Sequence, residues 1–359
     1  KRQYNELYQQ VRESYYDTDG NPVIITAGYA AVEREYDERN NVTIVRYLDQ
    51  NGDLINCTSG YAVLKREYND CSRAEKEYYY DTDMNPVAIG DEYYGILREY
   101  SYAGDVTSEK YIDNNDAPVL RGAGYAAVVR EYDATRRLIR ETFNDEDGNI
   151  CAVSSGYAVK VRDFEGVRLI KESFLDADDK PVNVNNTYAV VRYDYLPDNQ
   201  LSLTRYYDAD GNELDMGSSY MHSYLSSLRD RDVTIFLSVK DDGTAGLTAT
   251  LLDDLSALGI RENLKGKARA SYYAVINGNS IAEELGMDKL THSGKVGTDS
   301  YTITSAGYYS GNQSSILING QEYSKNVRGM NIVIYDNQAD EVIESVGIDT
   351  YTNEMIVTR

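Results

Sequence analysis

The stretch "YYDTDGNPV" (15–23) returns along the chain as "YYDTDMNPV" (79–87) and "YYDADGNEL" (206–214). An Asp begins the polar part of each copy, and consecutive copies are 32 residues apart except for one spacing of 31. These residues are Asp17, Asp49, Asp81, Asp113, Asp145, Asp176 and Asp208. Because self-similarity at a fixed period of this size is typical of repeat proteins, we predict a tandem array over residues 1–216.

Two further sets of aromatic residues follow the same period. A Tyr, usually within "GYA", stands 12 residues after each Asp, and another aromatic residue, usually within "REYD", stands 7 residues later. The first set is Tyr29, Tyr61, Tyr93, Tyr125, Tyr157, Tyr188 and Tyr220, and the second is Tyr36, Tyr68, Tyr100, Tyr132, Phe164 and Tyr195. Two arms rich in Tyr, Val and Ile around a polar turn indicate that each unit is a β-hairpin.

The opening stretch has two interpretations, a calcium loop or a turn. An EF-hand loop needs a bidentate Glu at its twelfth position, and that position is Gly28 counted from Asp17 and Gly156 counted from Asp145. Asp and Asn side chains bond readily to nearby backbone N–H groups and tolerate left-handed backbone. We therefore favour a turn and expect no metal site, although a cation bound by some copies stays open as the alternative.

The composition limits the classes of partner that the chain is expected to bind. The formal net charge of −23 argues against nucleic acid or an anionic membrane as the main partner, and no apolar run is long enough for membrane insertion. The aromatic residues are nearly all Tyr, with 35 Tyr, 4 Phe and no Trp, which suits half-exposed sheet faces. Cys57, Cys71 and Cys151 occupy unrelated repeat positions and indicate no disulfide framework. The chain opens "KRQYNELY", so we expect a piece of a larger protein.

The Tyr, Gly and Asp spacing of the array resembles bacterial YD-type repeats and, more distantly, the hairpin repeats of choline-binding cell-wall proteins. Choline-binding repeats hold quaternary ammonium groups in aromatic cages by cation–π attraction. That resemblance implies a Tyr-rich array that binds choline-substituted or other cationic wall polymer. The alternative, which we favour, is a Tyr ladder that simply packs.

After Tyr220 the period ends and the pattern changes. A helix is predicted from the shared face of Tyr220, Tyr224, Leu225 and Leu228, a buried strand over 233–239, and a second helix ending at Gly259. Strands are predicted over 271–276, 301–306, 331–336 and 341–349. The alternation indicates a compact α/β domain over residues 217–359.

The segments "FLSVKDDGTAGLTATLLDDLSALG", "RASYYAVING" and "NVRGMNIVIYDNQADEVIESVGIDTY" resemble the ILEI/PANDER domain of secreted cytokine-like proteins and of a glycosyltransferase stem. Their order differs from the family, so the domain looks circularly permuted. Circular permutation is tolerated where the natural termini lie close together. The overall fold class predicted is mainly β, an elongated hairpin array followed by an ILEI/PANDER-like domain.

The glycosyltransferase stem is similar to a lectin, which implies carbohydrate-binding residues in this chain. By the resemblance these are Asp241, Arg269 and Tyr272, and Arg328 is expected to line the same cleft. A carboxylate accepts hydrogen bonds from sugar hydroxyls, a guanidinium donates in a fixed fork, and an aromatic ring packs on a pyranose. A surface turn, exposed ion pairs and a packed ring are the alternative roles.

No catalytic motif is present. His222 and His292 are the two imidazoles, neither has metal-ligand spacing, and we expect His222 in a helix and His292 in a loop. No nucleophile elbow, Walker loop or dinucleotide fingerprint occurs. The chain is therefore expected to be non-catalytic and to need no cofactor.

These observations predict a glycan-binding accessory region of a larger bacterial enzyme of cell-surface polymer synthesis, such as a glycosyltransferase. The sequence does not fix the localisation, and we lean towards the cytoplasmic face or the cell envelope. Two alternatives stay open. The array itself could bind choline or another cationic polymer, or it could be a structural spacer that forms a homodimer.

Overall fold

The computed structural model describes residues 1–90, 92–229 and 231–359. The chain divides into two compact units, of which the first comprises residues 1–163 and 173–187 and the second comprises residues 164–172 and 188–359. The predicted boundary between residues 216 and 217 falls inside the second unit. The second unit also contains the two strands before that position, Val190–Tyr195 and Leu201–Tyr207.

Fourteen strands, β1 to β14, form antiparallel hairpins in chain order, so the predicted mainly β array of tandem hairpins is confirmed. They are Arg2–Tyr4, Gln10–Ser14, Ala31–Tyr36, Val42–Leu48, Val63–Tyr68, Ala74–Tyr80, Gly95–Tyr100, Val106–Ile112, Ala127–Tyr132, Leu138–Asn144, Val159–Glu165, Arg168–Leu175, Val190–Tyr195 and Leu201–Tyr207.

The repeated Asp forms a turn. Asp17 Oδ1 accepts hydrogen bonds from the N–H groups of Asp19 at 2.9 Å and Asn21 at 2.8 Å. These bonds, led by the one from Asn21, hold the pKa of Asp17 below its ordinary value. The same pair of bonds recurs at Asp81 and at the other hairpin turn, where Asp37 accepts from residues 39 and 41. The carboxylate accepts hydrogen bonds from backbone N–H groups that would have no backbone partner in a tight turn.

The second periodic aromatic residue is Phe164 in one repeat, and in the other five it is a tyrosine that fastens its repeat to the preceding one. Its hydroxyl donates to a backbone carbonyl 26 residues earlier, at 2.7 to 2.9 Å in each case. The donors are Tyr36, Tyr68, Tyr100, Tyr132 and Tyr195, and the acceptors are Gln10, Val42, Ala74, Val106 and Leu169. An amphipathic ring at this position therefore both packs and satisfies a carbonyl.

An alternating ladder of charges crosses neighbouring strands of the first unit. Arg98 contacts Glu77 and Glu109 at 2.8 Å each, and Arg130 lies between Glu109 and Glu141. Opposite charges facing one another across strands stabilise the sheet, and each carboxylate here is shared by two arginines.

The second unit has a ten-stranded sheet and two α-helices. Helix α1 is Gly217–Leu228 and helix α2 is Ala249–Ala257. The strands β15 to β24 are Val233–Asp241, Ser271–Asn277, Ser280–Gly286, Leu290–Val296, Asp299–Gly307, Gln313–Ile318, Gln321–Glu322, Gly329–Asp336, Glu341–Ile348 and Val357–Thr358. The predicted strands over 233–239, 271–276, 301–306, 331–336 and 341–349 all correspond to observed ones. Strands β17, β18 and β20 were not predicted, and His292 lies in β18 rather than in a loop.

Each face of this sheet carries an apolar core. On one face α1 and α2 pack against alternate residues of β15, β16 and β22, among them Ile235, Ala274 and Ile332. Phe236, Tyr273 and Val333 point to the other face and pack against β18 to β20. Burial on both faces explains why these central strands are apolar throughout. Polar side chains of these central strands therefore reach water mainly at the strand ends.

Candidate functional site

The C-terminal end of β15 is a junction of strands. Strand β15 pairs with β22 along its length, and its other edge pairs first with β16 and then, at Lys240 and Asp241, in parallel with Ala306 and Gly307 of β19. The N-terminal ends of β16 and β22 and the C-terminal ends of β19 and β23 therefore meet at this edge. Side chains just outside those strands come together there.

Arg269, two residues before β16, is held by two aromatic rings. Its guanidinium carbon lies 4.4 Å from the ring centroid of Tyr308, and its Nη1 donates to the Tyr309 hydroxyl at 2.7 Å. This hydrogen bond to Tyr309 is the main cause that raises the Arg269 pKa. Tyr308 and Tyr309 follow β19 and are 49% and 70% exposed, so both rings present surface to solvent while they hold the arginine.

Arg328, directly before β22, has a similar setting with one addition. Its guanidinium carbon lies 4.5 Å from the ring centroid of Tyr351. Its Nε and Nη2 also donate to both oxygens of Asp349, with the shortest contact at 2.7 Å. The bond to Asp349 raises the Arg328 pKa most, and the charge of Asp241 adds to the effect. Asp241 thus lies within electrostatic range of Arg328.

Tyr351 lies within electrostatic range of Arg269, as Asp241 does of Arg328, so the two settings adjoin. We call the surface that they form the Tyr–Arg surface, and it comprises Asp241, Arg269, Tyr308, Tyr309, Arg328 and Tyr351. Three exposed phenol rings, two guanidinium groups and a carboxylate offer stacking faces, donors and an acceptor at one edge of a rigid sheet. That combination suits a polyhydroxylated ligand with apolar ring faces.

The backbone at this surface is held in unusual conformations. Asp241 and Arg269 have φ angles of 64° and 60°, in the left-handed region that side chains other than Gly, Asn and Asp rarely adopt. A Cβ on Gly307 would lie 2.2 Å from the Arg269 carbonyl oxygen, so only glycine allows this close approach. Strained backbone of this kind costs stability and clusters at functional sites.

A buried polar network, which no sequence pattern indicated, fixes these segments. Asp242 is buried, and its two carboxylate oxygens accept from the backbone N–H groups of Arg269 at 3.0 Å and Thr244 at 2.9 Å. Ser271 Oγ accepts from the Gly307 N–H at 2.8 Å. Satisfied buried hydrogen bonds make the positions of Arg269 and Tyr308 well defined.

Tyr272 does not lie on the Tyr–Arg surface. Its ring is fully buried in the core beneath the helices, and its hydroxyl donates to Glu283 at 2.8 Å. Burial, followed by this bond, raises its pKa. The ring therefore has no face to offer a ligand, whereas the rings of Tyr308, Tyr309 and Tyr351 are exposed. The structure brings together the other three predicted residues, Asp241, Arg269 and Arg328.

The first unit carries a different aromatic feature, a ladder of rings running from Tyr15 to Phe174. Successive centroids are 4.6 to 6.2 Å apart, and most neighbouring rings meet edge to face. Its members are Tyr15, Tyr29, Tyr47, Tyr61, Tyr79, Tyr93, Tyr111, Tyr125, Phe143, Tyr157 and Phe174. The rings mainly pack against one another.

A groove beside this ladder contains both aromatic and charged groups. It has a volume of about 670 Å³, and its lining includes Tyr78, Tyr80, Tyr94, Asp113 and Asp116. The ammonium group of Lys65, which also lines the groove, lies 4.5 Å from the Tyr80 ring centroid. The groove therefore already shows one cation–π contact made by the protein's own side chain.

The histidines have structural neighbours. His222 Nδ1 lies 2.7 Å from Asp254 Oδ2, and the same buried carboxylate pairs with Arg229. The His292 ring stacks on Tyr273 with centroids 5.5 Å apart.

Within the part of the chain that the structure describes, no group of three or more His, Cys, Asp or Glu side chains is arranged to hold a metal ion. Neither described helix has the length and apolarity needed to cross a membrane.

No protein-family model matches the chain, and no curated protein matches it. Among solved structures, it is similar to a chain of the TcdB2-TccC3-Cdc42 crystal structure, with 10% identity, a TM-score of 0.30, and coverage of 91% of this chain and 17% of that one. A Tc holotoxin pore from Photorhabdus luminescens gives 10% identity, a TM-score of 0.28 and coverage of 92% and 17%. The TcdB2-TccC3-TEV structure gives 12% identity, a TM-score of 0.30, and coverage of 90% of this chain and 15% of that one. The chain thus spans less than a fifth of these proteins, and TM-scores this low do not establish a shared fold.

Proposed function

We propose that the second unit binds a glycan on the Tyr–Arg surface. The observation that carries the proposal is the arrangement around Arg269, where two exposed tyrosine rings flank a guanidinium on strained, hydrogen-bonded backbone. Sugars are recognised by aromatic faces that cover their apolar C–H patches and by charged groups that bond their hydroxyls. Both kinds of group occur here on one surface.

The rigidity of the surface supports binding rather than accidental exposure. The backbone N–H of Arg269 is fixed by the buried Asp242, and Arg328 is fixed by Asp349. Side chains that are ordered before the ligand arrives lose less conformational entropy on binding. A strongly hydrated, polyhydroxylated ligand benefits from such preorganisation, because water competes for its hydroxyls and each of its contacts with the protein adds little free energy.

The proposed setting is the one that the sequence resemblance implies, a non-catalytic accessory region of a larger bacterial enzyme of cell-surface polymer synthesis, such as a glycosyltransferase. Binding of polymer by this unit would keep the substrate close to the catalytic part and raise its effective concentration there.

The test is a glycan array probed with the full chain. Glycan binding is expected, with affinity about five-fold lower after Tyr308→Ala, because stacking on an aromatic ring contributes about 1 kcal/mol. Tyr102→Ala is the matched control, since Tyr102 is a fully exposed tyrosine in the first unit. Absence of signal from every glycan, or equal loss in both variants, refutes the proposal.

A second candidate is binding of a quaternary ammonium group, such as choline on a wall polymer, in the groove of the first unit. The contact of Lys65 with Tyr80 and the nearby carboxylates of Asp113 and Asp116 favour it. Choline-competable retention on a quaternary-amine matrix, lost in Tyr94→Ala, would support this function. A chain that binds neither glycan nor choline, and dimerises with increasing concentration, would instead support a structural arm.

A further inference from the structure

The two arginines of the Tyr–Arg surface are close structural counterparts with different partners. Each lies just before a strand at the same edge of the sheet, and each has its guanidinium carbon about 4.4 to 4.5 Å from a tyrosine centroid. Arg328 uses its Nε and Nη2 edge to bind both oxygens of Asp349. This bidentate pairing of a planar fork with a planar carboxylate is the strongest geometry available to an arginine.

Arg269 uses the opposite part of its guanidinium. Its Nη1 donates to Tyr309, and within residues 1–90, 92–229 and 231–359 its Nε and Nη2 make no hydrogen bond. No carboxylate in those ranges forms an ion pair with it either, although the chain has 59 Asp and Glu against 36 Lys and Arg. Arg73, Arg192 and Arg261 likewise form no ion pair within those ranges, but Arg269 combines a free bidentate edge with two exposed tyrosine rings that hold its guanidinium.

The orientation of that edge is fixed by three constraints. The backbone N–H of Arg269 is bound to the buried Asp242, its guanidinium stacks on Tyr308, and its Nη1 is held by Tyr309. The backbone at this residue is left-handed, with a φ of 60°, which further restricts where the side chain can point. The Nε and Nη2 donors therefore point in a defined direction before any ligand binds.

We infer that the glycan bound here is acidic, and that the carboxylate of a uronic-acid-type sugar pairs with the Nε and Nη2 edge of Arg269 as Asp349 pairs with that of Arg328. This rests on the proposed glycan-binding function and adds the class of ligand to it. The net charge of −23 repels an anionic ligand at long range, so the attraction comes from short-range contact with the Arg269 guanidinium. The sugar ring then lies against the exposed rings of Tyr308 and Tyr309, and Asp241 accepts from a hydroxyl. A carboxylate fits this edge better than a sulfate, because its two oxygens lie in one plane with the donors.

The experiment compares acidic glycans with their own carboxyl-reduced counterparts. An array carries uronic-acid oligosaccharides, the same oligosaccharides after reduction of each carboxyl to a primary alcohol, and sulfated neutral oligosaccharides. The full chain is expected to bind the uronic-acid glycans at least about ten-fold more tightly than their reduced forms, as charge-assisted hydrogen bonds contribute about 1.5 to 3 kcal/mol.

Single substitutions test whether Arg269 causes the preference for acidic glycans. Arg269→Asn removes the guanidinium but keeps a side chain that tolerates left-handed backbone, so it is expected to fold and to bind both glycan forms equally. Arg261→Asn is the matched control at an exposed arginine between α2 and β16, and it should keep the full preference. Tyr308→Ala should weaken both glycan forms, and the acidic form more, because it removes the stacking face and one of the constraints that orient the fork.

The outcomes separate the two proposals. Equal binding of acidic and reduced glycans by the unaltered chain, or preference for the sulfated ones, overturns the acidic-sugar inference and leaves glycan binding intact. Binding of no glycan overturns both. An acidic preference that survives in Arg269→Asn also overturns the assignment to Arg269.

Discussion

Replacing Arg98 with Met tests whether the charge ladder of the first unit stabilises the hairpin array. The Arg98 side chain is 19% exposed and lies between Glu77 and Glu109, which are 14% and 16% exposed. Removal of one partner from a fully buried ion pair costs about 3 to 5 kcal/mol, whereas an exposed pair contributes about 0 to 1. The partial exposure here gives an expected loss of about 2 to 3 kcal/mol in the free energy of unfolding at pH 7.

The loss should depend on pH, and the sign follows from Glu109. Burial opposes ionisation of Glu109, but the hydrogen bonds from Tyr111 and Arg98 outweigh it and lower the pKa. A lowered pKa gives stability that is present above the unfolded-state value and is lost as pH falls through the folded-state value. In Arg98→Met burial dominates and raises the pKa of Glu109 instead. Folded Arg98→Met therefore takes up a proton on Glu109 as the pH falls, and its loss in the free energy of unfolding becomes smaller between about pH 6 and pH 4.

The assay is urea unfolding followed by far-UV circular dichroism at pH 7 and pH 4, with Arg39→Met as the matched control. Arg39 pairs with Asp70, whose side chain is 98% exposed, and this variant should lose less than about 1 kcal/mol at both pH values. Equal deficits in the two variants, or an Arg98→Met deficit that is the same at pH 7 and pH 4, would refute the electrostatic reasoning.

Two further substitutions test local contacts. Tyr68→Phe removes the hydroxyl that donates to the Val42 carbonyl at 2.8 Å, and should lower the free energy of unfolding by about 1 kcal/mol, while Tyr102→Phe should leave it unchanged. Gly329→Ala places a Cβ 2.3 Å from a backbone oxygen at a φ of +97°, and should cost at least about 3 kcal/mol from strain and overlap together. Gly320→Ala, with a φ of +80° and no neighbouring atom within 4 Å, should cost about 1 kcal/mol, and thermal denaturation of all four variants would show whether these contrasts hold.

The array could be predicted from sequence because each periodic residue has one recurring task. Asp17 and its equivalents close turns, and Tyr68 and its equivalents bond a carbonyl of the previous unit. In the second unit, apolar runs revealed the central strands. Strands such as β17 and β18 escaped prediction because polar residues alternate through them, and His292 stacks on Tyr273 instead of lying in a loop.

The candidate site residues were expected from the family resemblance, and one of them, Tyr272, lies in the core instead. Asp241, Arg269 and Arg328 lie just at the ends of predicted strands, where polar side chains reach water. Tyr272 and Tyr273 are adjacent in a strand buried on both faces, so alternation sends one to each core and periodicity cannot identify an exposed ring. Tyr308, Tyr309 and Tyr351 also follow strand ends, and that position is the signal that could have found them.

Hydroxyl-radical footprinting of the full chain, with and without the glycan that binds most tightly on the array, tests glycan recognition by the Tyr–Arg surface most directly. Because tyrosines are labelled in proportion to their exposure, bound sugar should protect Tyr308, Tyr309 and Tyr351. Ladder tyrosines such as Tyr29 and Tyr61 should be labelled equally in both samples. Protection of the ladder with no change at Tyr308 and Tyr309 would contradict the assignment and move recognition to the repeats.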